Sequence, residues 1–165
     1  MNKFDTYVAQ NRLDLVRRTM VFEDCLFSKS QTEKILSNEV VPNLDYKLVC
    51  GVRNVNRAWS WVCSPKKYGV STLEELHAIV SEDVIRVPWL EGMFRDEAVG
   101  VRISSSSYSP PLTTRAEAYN EFDKELTFVL NGLKSYQSVE KKVKICLDFF
   151  IFLMKRQYFI DANKR

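Results

Sequence analysis

Apolar residues recur along this chain at spacings of three and four, the period of an amphipathic helix, in six separate segments. Leu13, Val16 and Met20 predict a helix over residues 11–24. Ser30-Gln31-Thr32-Glu33 resembles a capping box, so a second helix should begin near Ser30 and end before Pro42. The strongest pattern is Leu48, Val52, Val55, Trp59 and Val62, which predicts a helix from Asp45 to Val62 stopped by Ser64-Pro65. Ser71-Thr72, followed by Glu74 and Glu75, caps a fourth helix from Thr72 to Val80, and Val87-Pro88-Trp89 breaks the pattern. Two more follow over Arg115–Leu130 and Ser138–Arg156, the last being the most hydrophobic.

Between them the period changes from helical to alternating. Val99, Val101 and Ile103 alternate with Gly100 and Arg102, and Ser104-Ser105-Ser106-Ser107 leads to Tyr108-Ser109-Pro110-Pro111. That pattern predicts a short hairpin with a serine-rich tip. The expected fold class is therefore all-α: a helical bundle carrying one β-hairpin.

Composition narrows the function classes. A chain of 165 residues that is 45% hydrophobic can bury one sizeable core. Its net charge of +3 comes from interspersed charges, so no basic stripe points to nucleic acid. The four cysteines, Cys25, Cys50, Cys63 and Cys146, form no CxxC pair, and there is a single histidine. Neither a zinc site nor a disulfide framework is indicated, and buried free thiols in a reducing cytoplasm are expected. No signal peptide is visible, and the run from Ile145 to Met154 is shorter than the ~20 residues that span a bilayer. No membrane partner and a cytoplasmic location are expected.

The chemistry is concentrated in Gln157-Tyr158-Phe159-Ile160-Asp161-Ala162-Asn163-Lys164-Arg165. Ala162-Asn163 is small enough to let backbone N–H groups converge on an anion, and Lys164 and Arg165 supply positive charge. Asp161 offers a carboxylate for a Mg²⁺ ion bridging phosphates. Phe159 and Ile160 look like apolar anchors for the loop.

From Phe159 to Arg165 this stretch resembles the signature of the Fic/Doc (Fido) family, His-x-Phe-x-(Asp/Glu)-(Gly/Ala)-Asn-(Gly/Lys)-Arg. Most such proteins transfer AMP from ATP to a protein hydroxyl. The family's histidine, its general base, falls on Gln157, whose amide cannot take a proton. Gly92-Met93-Phe94-Arg95, Val99 to Ile103 and Tyr108 to Pro111 resemble the family's flap, a hairpin that adds the target segment as an extra strand. Thr19-Met20-Val21-Phe22-Glu23-Asp24 is similar to the inhibitory helix (Ser/Thr)-x-x-x-Glu-(Gly/Asn), departing at Asp24. Thr19 and Glu23, four apart, share a helix face.

The resemblance, covering residues 11–165, implies a Fic-like all-α bundle with a hairpin flap. Residues 1–42 would be an N-terminal segment bearing the inhibitory motif, and residues 43–165 the Fic core. It implies ATP and Mg²⁺ as cofactors, with Asp161 holding the metal and Ala162, Asn163, Lys164 and Arg165 cradling the phosphates. Val101, Arg102, Ile103 and Ser104 would position a target hydroxyl. With Gln157 at the base position the expectation is a weak or silent AMP transferase. One alternative is a non-enzymatic pseudoenzyme that binds a protein. Another is a phosphotransferase like the Doc toxins, which share Asp-Ala-Asn-Lys-Arg. His77 is expected to be structural rather than a substitute base. The family's next helix, with its second arginine, lies beyond Arg165. Ile151, Phe152 and Phe159 should then lack an apolar partner, at about 1.5–3 kcal/mol each, which predicts marginal stability and self-association.

Overall fold

The structure is a computed structural model that describes residues 2–23, 25–64, 67–103 and 106–163. Six α-helices and one two-stranded antiparallel hairpin are found among them. The helices are α1 (Lys3–Val21), α2 (Lys29–Leu36), α3 (Tyr46–Val62), α4 (Val70–Ser81), α5 (Arg115–Ser135) and α6 (Val139–Arg156). The hairpin pairs β1 (Val101–Ile103) with β2 (Ser106–Tyr108) in the register Val101 to Tyr108, Arg102 to Ser107 and Ile103 to Ser106. A 3₁₀ turn at Pro88–Leu90 occupies the predicted break.

Local chemistry sets the boundaries. α1 begins eight residues before the predicted start, because Asn2 and Asp5 form a reciprocal capping box there and Val8 is buried two turns before Val16. For α2 the capping pair is Ser28 with Gln31, not Ser30 with Glu33, and the helix stops at Leu36 rather than approaching Pro42. Asn38 follows in the left-handed region at φ 60°. α3 ends where it was expected, with Asp45 accepting the Lys47 N–H as its N-cap. α5 runs five residues past Leu130, through Gly132. A β-carbon at Gly132 would collide with the Ile145 Cδ1 of α6, so glycine is what lets the two helices approach this closely.

Three cores hold the chain. Val16, Met20, Phe27, Ile35, Val52 and Val55 join α1 and α2 to α3. Phe94, Ala118, Phe122, Tyr158 and Phe159 join α5 and α6 to the segment after α6. Ala58, Val80, Ile85 and Ala162 form the third, between α3 and α4. The residues after α6 thus enter two cores at once: Phe159 in one and Ala162 in the other. Phe159 is only 4% exposed, which corrects the expectation that it lacks a partner, and Phe152 is half-buried between Phe149 and Tyr158. Ile151 does lie exposed, on an apolar α6 face shared with Val143 and Leu147. Of the cysteines only Cys50 is buried, while Cys25 and Cys63 are half-buried and Cys146 is exposed. None of the described helices is long and apolar enough to cross a membrane.

Candidate functional site

α6 ends in a left-handed residue. Gln157 has φ 47° and ψ 62°, and its backbone N–H still donates to Leu153 O at 3.0 Å. This turns the chain back across the end of the helix, so that residues 158–163 form a loop over α4. Ala162 is also left-handed, at φ 56°. Such a conformation costs a β-carbon-bearing residue about 1–3 kcal/mol unless its surroundings fix it. The fixing groups are visible. Asn163 accepts the Phe159 N–H on Oδ1 at 2.9 Å and returns its Nδ2–H to Phe159 O at 2.7 Å. Asp161 Oδ1 accepts the Ala162 N–H at 2.7 Å.

His77 supports the loop from below. Gly92 N–H donates to Nδ1 at 2.9 Å, which makes Nδ1 the acceptor and leaves Nε2–H to donate to Asp161 O at 3.0 Å. The imidazole lies flat on Phe159, with ring centroids 3.7 Å apart and planes 3° from parallel. His77 is therefore structural, as expected, but it braces the very loop from which its sequence position had separated it. Gly92 is needed at its end of this bridge: it has φ 73°, and a β-carbon would meet Glu74 O at 3.0 Å.

The loop forms one wall of a cleft of about 220 Å³ lined by Glu23, residues 99–101, Gln157 and residues 160–163. Three segments far apart in sequence meet there: the turn after α1, the approach to β1, and the loop after α6. Of the predicted site residues, Glu23, Val101, Gln157, Asp161, Ala162 and Asn163 line this cleft. Arg102 and Ile103 are paired in β1. Ser104, Lys164 and Arg165 lie outside the described residues.

Several of the predicted site residues make other contacts in this structure. Thr19 does not line the cleft. Its hydroxyl donates to Leu15 O at 2.9 Å and accepts the Trp59 indole N–H at 3.4 Å, and it borders a separate apolar cavity of about 300 Å³ between α1, α3 and α4. The Asn163 amide and the Ala162 N–H, expected to meet phosphate, bond within the loop itself. Gln157 folds its side chain back, Nε2 donating to Met154 O at 2.7 Å, and so caps its own helix.

Arg95 had not been singled out as a site residue. It is 7% exposed, and its backbone N–H donates to Tyr158 O at 2.8 Å. Its guanidinium donates to the carbonyl of Gln157 at 2.5 Å, beside residues that bound both the cleft and the hairpin. Burial, and then the neighbouring Arg156, draw its pKa below the usual arginine value. Arg156 itself is held by Glu121, which also accepts the Tyr158 hydroxyl at 3.0 Å. Burial, followed by the Glu121 charge, raises the Tyr158 pKa, so the phenol remains a donor. The resemblance of Gly92-Met93-Phe94-Arg95 to a flap region places Arg95 near the hairpin, but no sequence pattern marks its partners, which are backbone carbonyls that any residue supplies.

Asp161 is exposed, while its Oδ1 takes the Ala162 N–H. No cluster of three or more metal-binding side chains occurs among the described residues. The exposed Asp161 carboxylate would suit Mg²⁺ brought with phosphate, since that ion keeps several waters and takes one or two carboxylates plus phosphate oxygens.

No family model matches the chain, and no curated protein does. Among solved structures, a Fic family protein from Desulfovibrio desulfuricans G20 aligns over 95% of this chain with a TM-score of 0.72 at 16% identity. The alignment covers 45% of that protein, so this chain spans less than half its length. At that identity the likeness establishes the fold.

Proposed function

We propose that this chain, which has the Fic fold, is a nucleotide-binding protein of the AMP-transferase type whose activity is weak or silent because Gln157 stands at the base position. The observation that carries the reading is the cleft itself, where Glu23, the approach to the hairpin and residues 157–163 converge. Asp161 would hold Mg²⁺, which when bound with ATP neutralises phosphate charge. Loop N–H groups, with Lys164 and Arg165, would take the phosphates. The hairpin edge would receive an extended target segment through main-chain hydrogen bonds, which accommodate varied sequences.

Gln157 limits the chemistry. An amide can orient a hydroxyl but cannot accept its proton, and losing a general base costs about two to four orders of magnitude in rate. Its bond to Met154 O also favours the second reading, a protein that binds through the hairpin without catalysis. Glu23 brings a carboxylate into the cleft where phosphates would lie, which opposes nucleotide seating and fits an inhibitory role.

The test is label transfer from α- and γ-labelled Mg-ATP to lysate proteins, with the native chain beside Gln157→His. The expected result is little or no label from the native chain and α-label from the histidine variant. Strong α-label from the native chain would overturn the silent assignment. Label from γ alone would move the assignment to phosphotransfer, and none from either protein would favour the binding role.

A further inference from the structure

The buried guanidinium of Arg95 serves two parts of the candidate site at once. Its Nε–H donates to Gln157 O at 2.5 Å and an Nη2–H to Arg156 O at 3.2 Å. These are terminal carbonyls of α6, which have no partner within the helix and carry the negative end of its dipole. Its Nη1–H donates to Glu97 O at 2.6 Å, and Nη2–H also reaches Pro111 O at 3.0 Å. Glu97 precedes the hairpin and Pro111 follows it, so both feet of the β1–β2 hairpin rest on the same planar group that holds the end of α6.

We infer that Arg95 is a positioning residue that fixes the hairpin relative to the loop after α6 and holds residue 157 in its left-handed conformation. The four acceptors belong to the backbone, so what Arg95 sets is the path of the main chain. Only a fork of donors pointing several ways satisfies carbonyls from both segments together. A lysine ammonium is a compact point charge and cannot span them. The consequence for target recognition rests on reading the hairpin as a flap, whereas the clamp itself rests on geometry alone.

Amide hydrogen exchange on the whole chain, native against Arg95→Lys, tests the clamp. Exchange at residues 97–103, 106–109 and 157–163 should rise at least about tenfold, while amides in α2 and α3 stay unchanged. A rise spread evenly over the molecule, or none in the hairpin, would overturn the inference. Should Arg95→Lys not fold, the native protein decides the matter. The Arg95 Nε–H resonance should exchange slowly and show through-hydrogen-bond coupling to the Gln157 carbonyl, and exchange as fast as that of a surface arginine would contradict the clamp. Where Gln157→His transfers label, adding Arg95→Lys should lower kcat/KM for the protein acceptor at least about tenfold. If Gln157→His transfers nothing, the functional reading fails and the exchange experiment still judges the clamp.

Discussion

Replacing His77 separates two interactions that meet under the cleft loop. His77→Phe keeps a flat ring to lie on Phe159 but removes the acceptor for Gly92 N–H and the donor for Asp161 O. A buried polar group left without a partner costs about 1–3 kcal/mol. Gly92 is half-buried and Asp161 is exposed to water, so the Asp161 carbonyl recovers much of its loss by hydration. The expected total is about 2 kcal/mol. His77→Ala removes the ring as well, at a site only 3% exposed, and loss of a large buried ring costs about 3–5 kcal/mol. Urea unfolding followed by circular dichroism measures both, with an unchanged m-value required for the comparison. His77→Phe within about 0.5 kcal/mol of the native protein would refute the bridging role of the two hydrogen bonds. Equal losses from Phe and Ala would show that the stack on Phe159 contributes nothing.

Three further outcomes are expected. Gly132→Ala should lower stability by about 1 kcal/mol, since overpacking against Ile145 exceeds the helix-propensity gain. Adding Ile145→Val, which deletes the colliding Cδ1, should restore most of that loss in thermal melts, and simple additivity would contradict the close approach. Asn163→Ala should cost about 1–3 kcal/mol by stranding the Phe159 N–H and carbonyl, while Asn163→Asp, which keeps the acceptor, should cost less by urea unfolding. Glu23→Gln should tighten Mg-ATP binding at least about tenfold in isothermal titration by removing like-charge repulsion, and an unchanged Kd would remove Glu23 from any inhibitory role.

How much of this was legible in the sequence depended on whether the determinants were local. α3 was readable to within a residue because its apolar stripe, its Asp45 cap and Ser64-Pro65 are all written in its own neighbourhood. The start of α1 was not, since between Lys3 and Gln10 only Val8 is buried and the polar cap Asn2–Asp5 looks like any surface stretch. The hairpin was readable from alternation. The loop residues 157–163 were found from their chemistry, and Glu23 from the resemblance of residues 19–24 to an inhibitory helix. Thr19 was assigned with Glu23 on that same resemblance, yet α1 ends at Val21, Glu23 lies in the turn beyond it, and Thr19 meets Trp59 and borders another cavity. His77 and Asp161 are 84 positions apart, and Arg95 and Gln157 are 62 apart. Contacts of that kind arise from the arrangement of α4, the hairpin and α6, and no local pattern announces them.

Titration of the isotopically labelled chain with Mg-ATP, followed by amide chemical shifts, tests the central claim most directly. Shifts concentrated at Glu23, residues 99–101 and residues 157–163 are the expected result, saturating together with one Kd. No shifts at saturating Mg-ATP, or shifts centred instead on the apolar cavity beside Trp59 and Leu76, would contradict the assignment of the cleft as a nucleotide site.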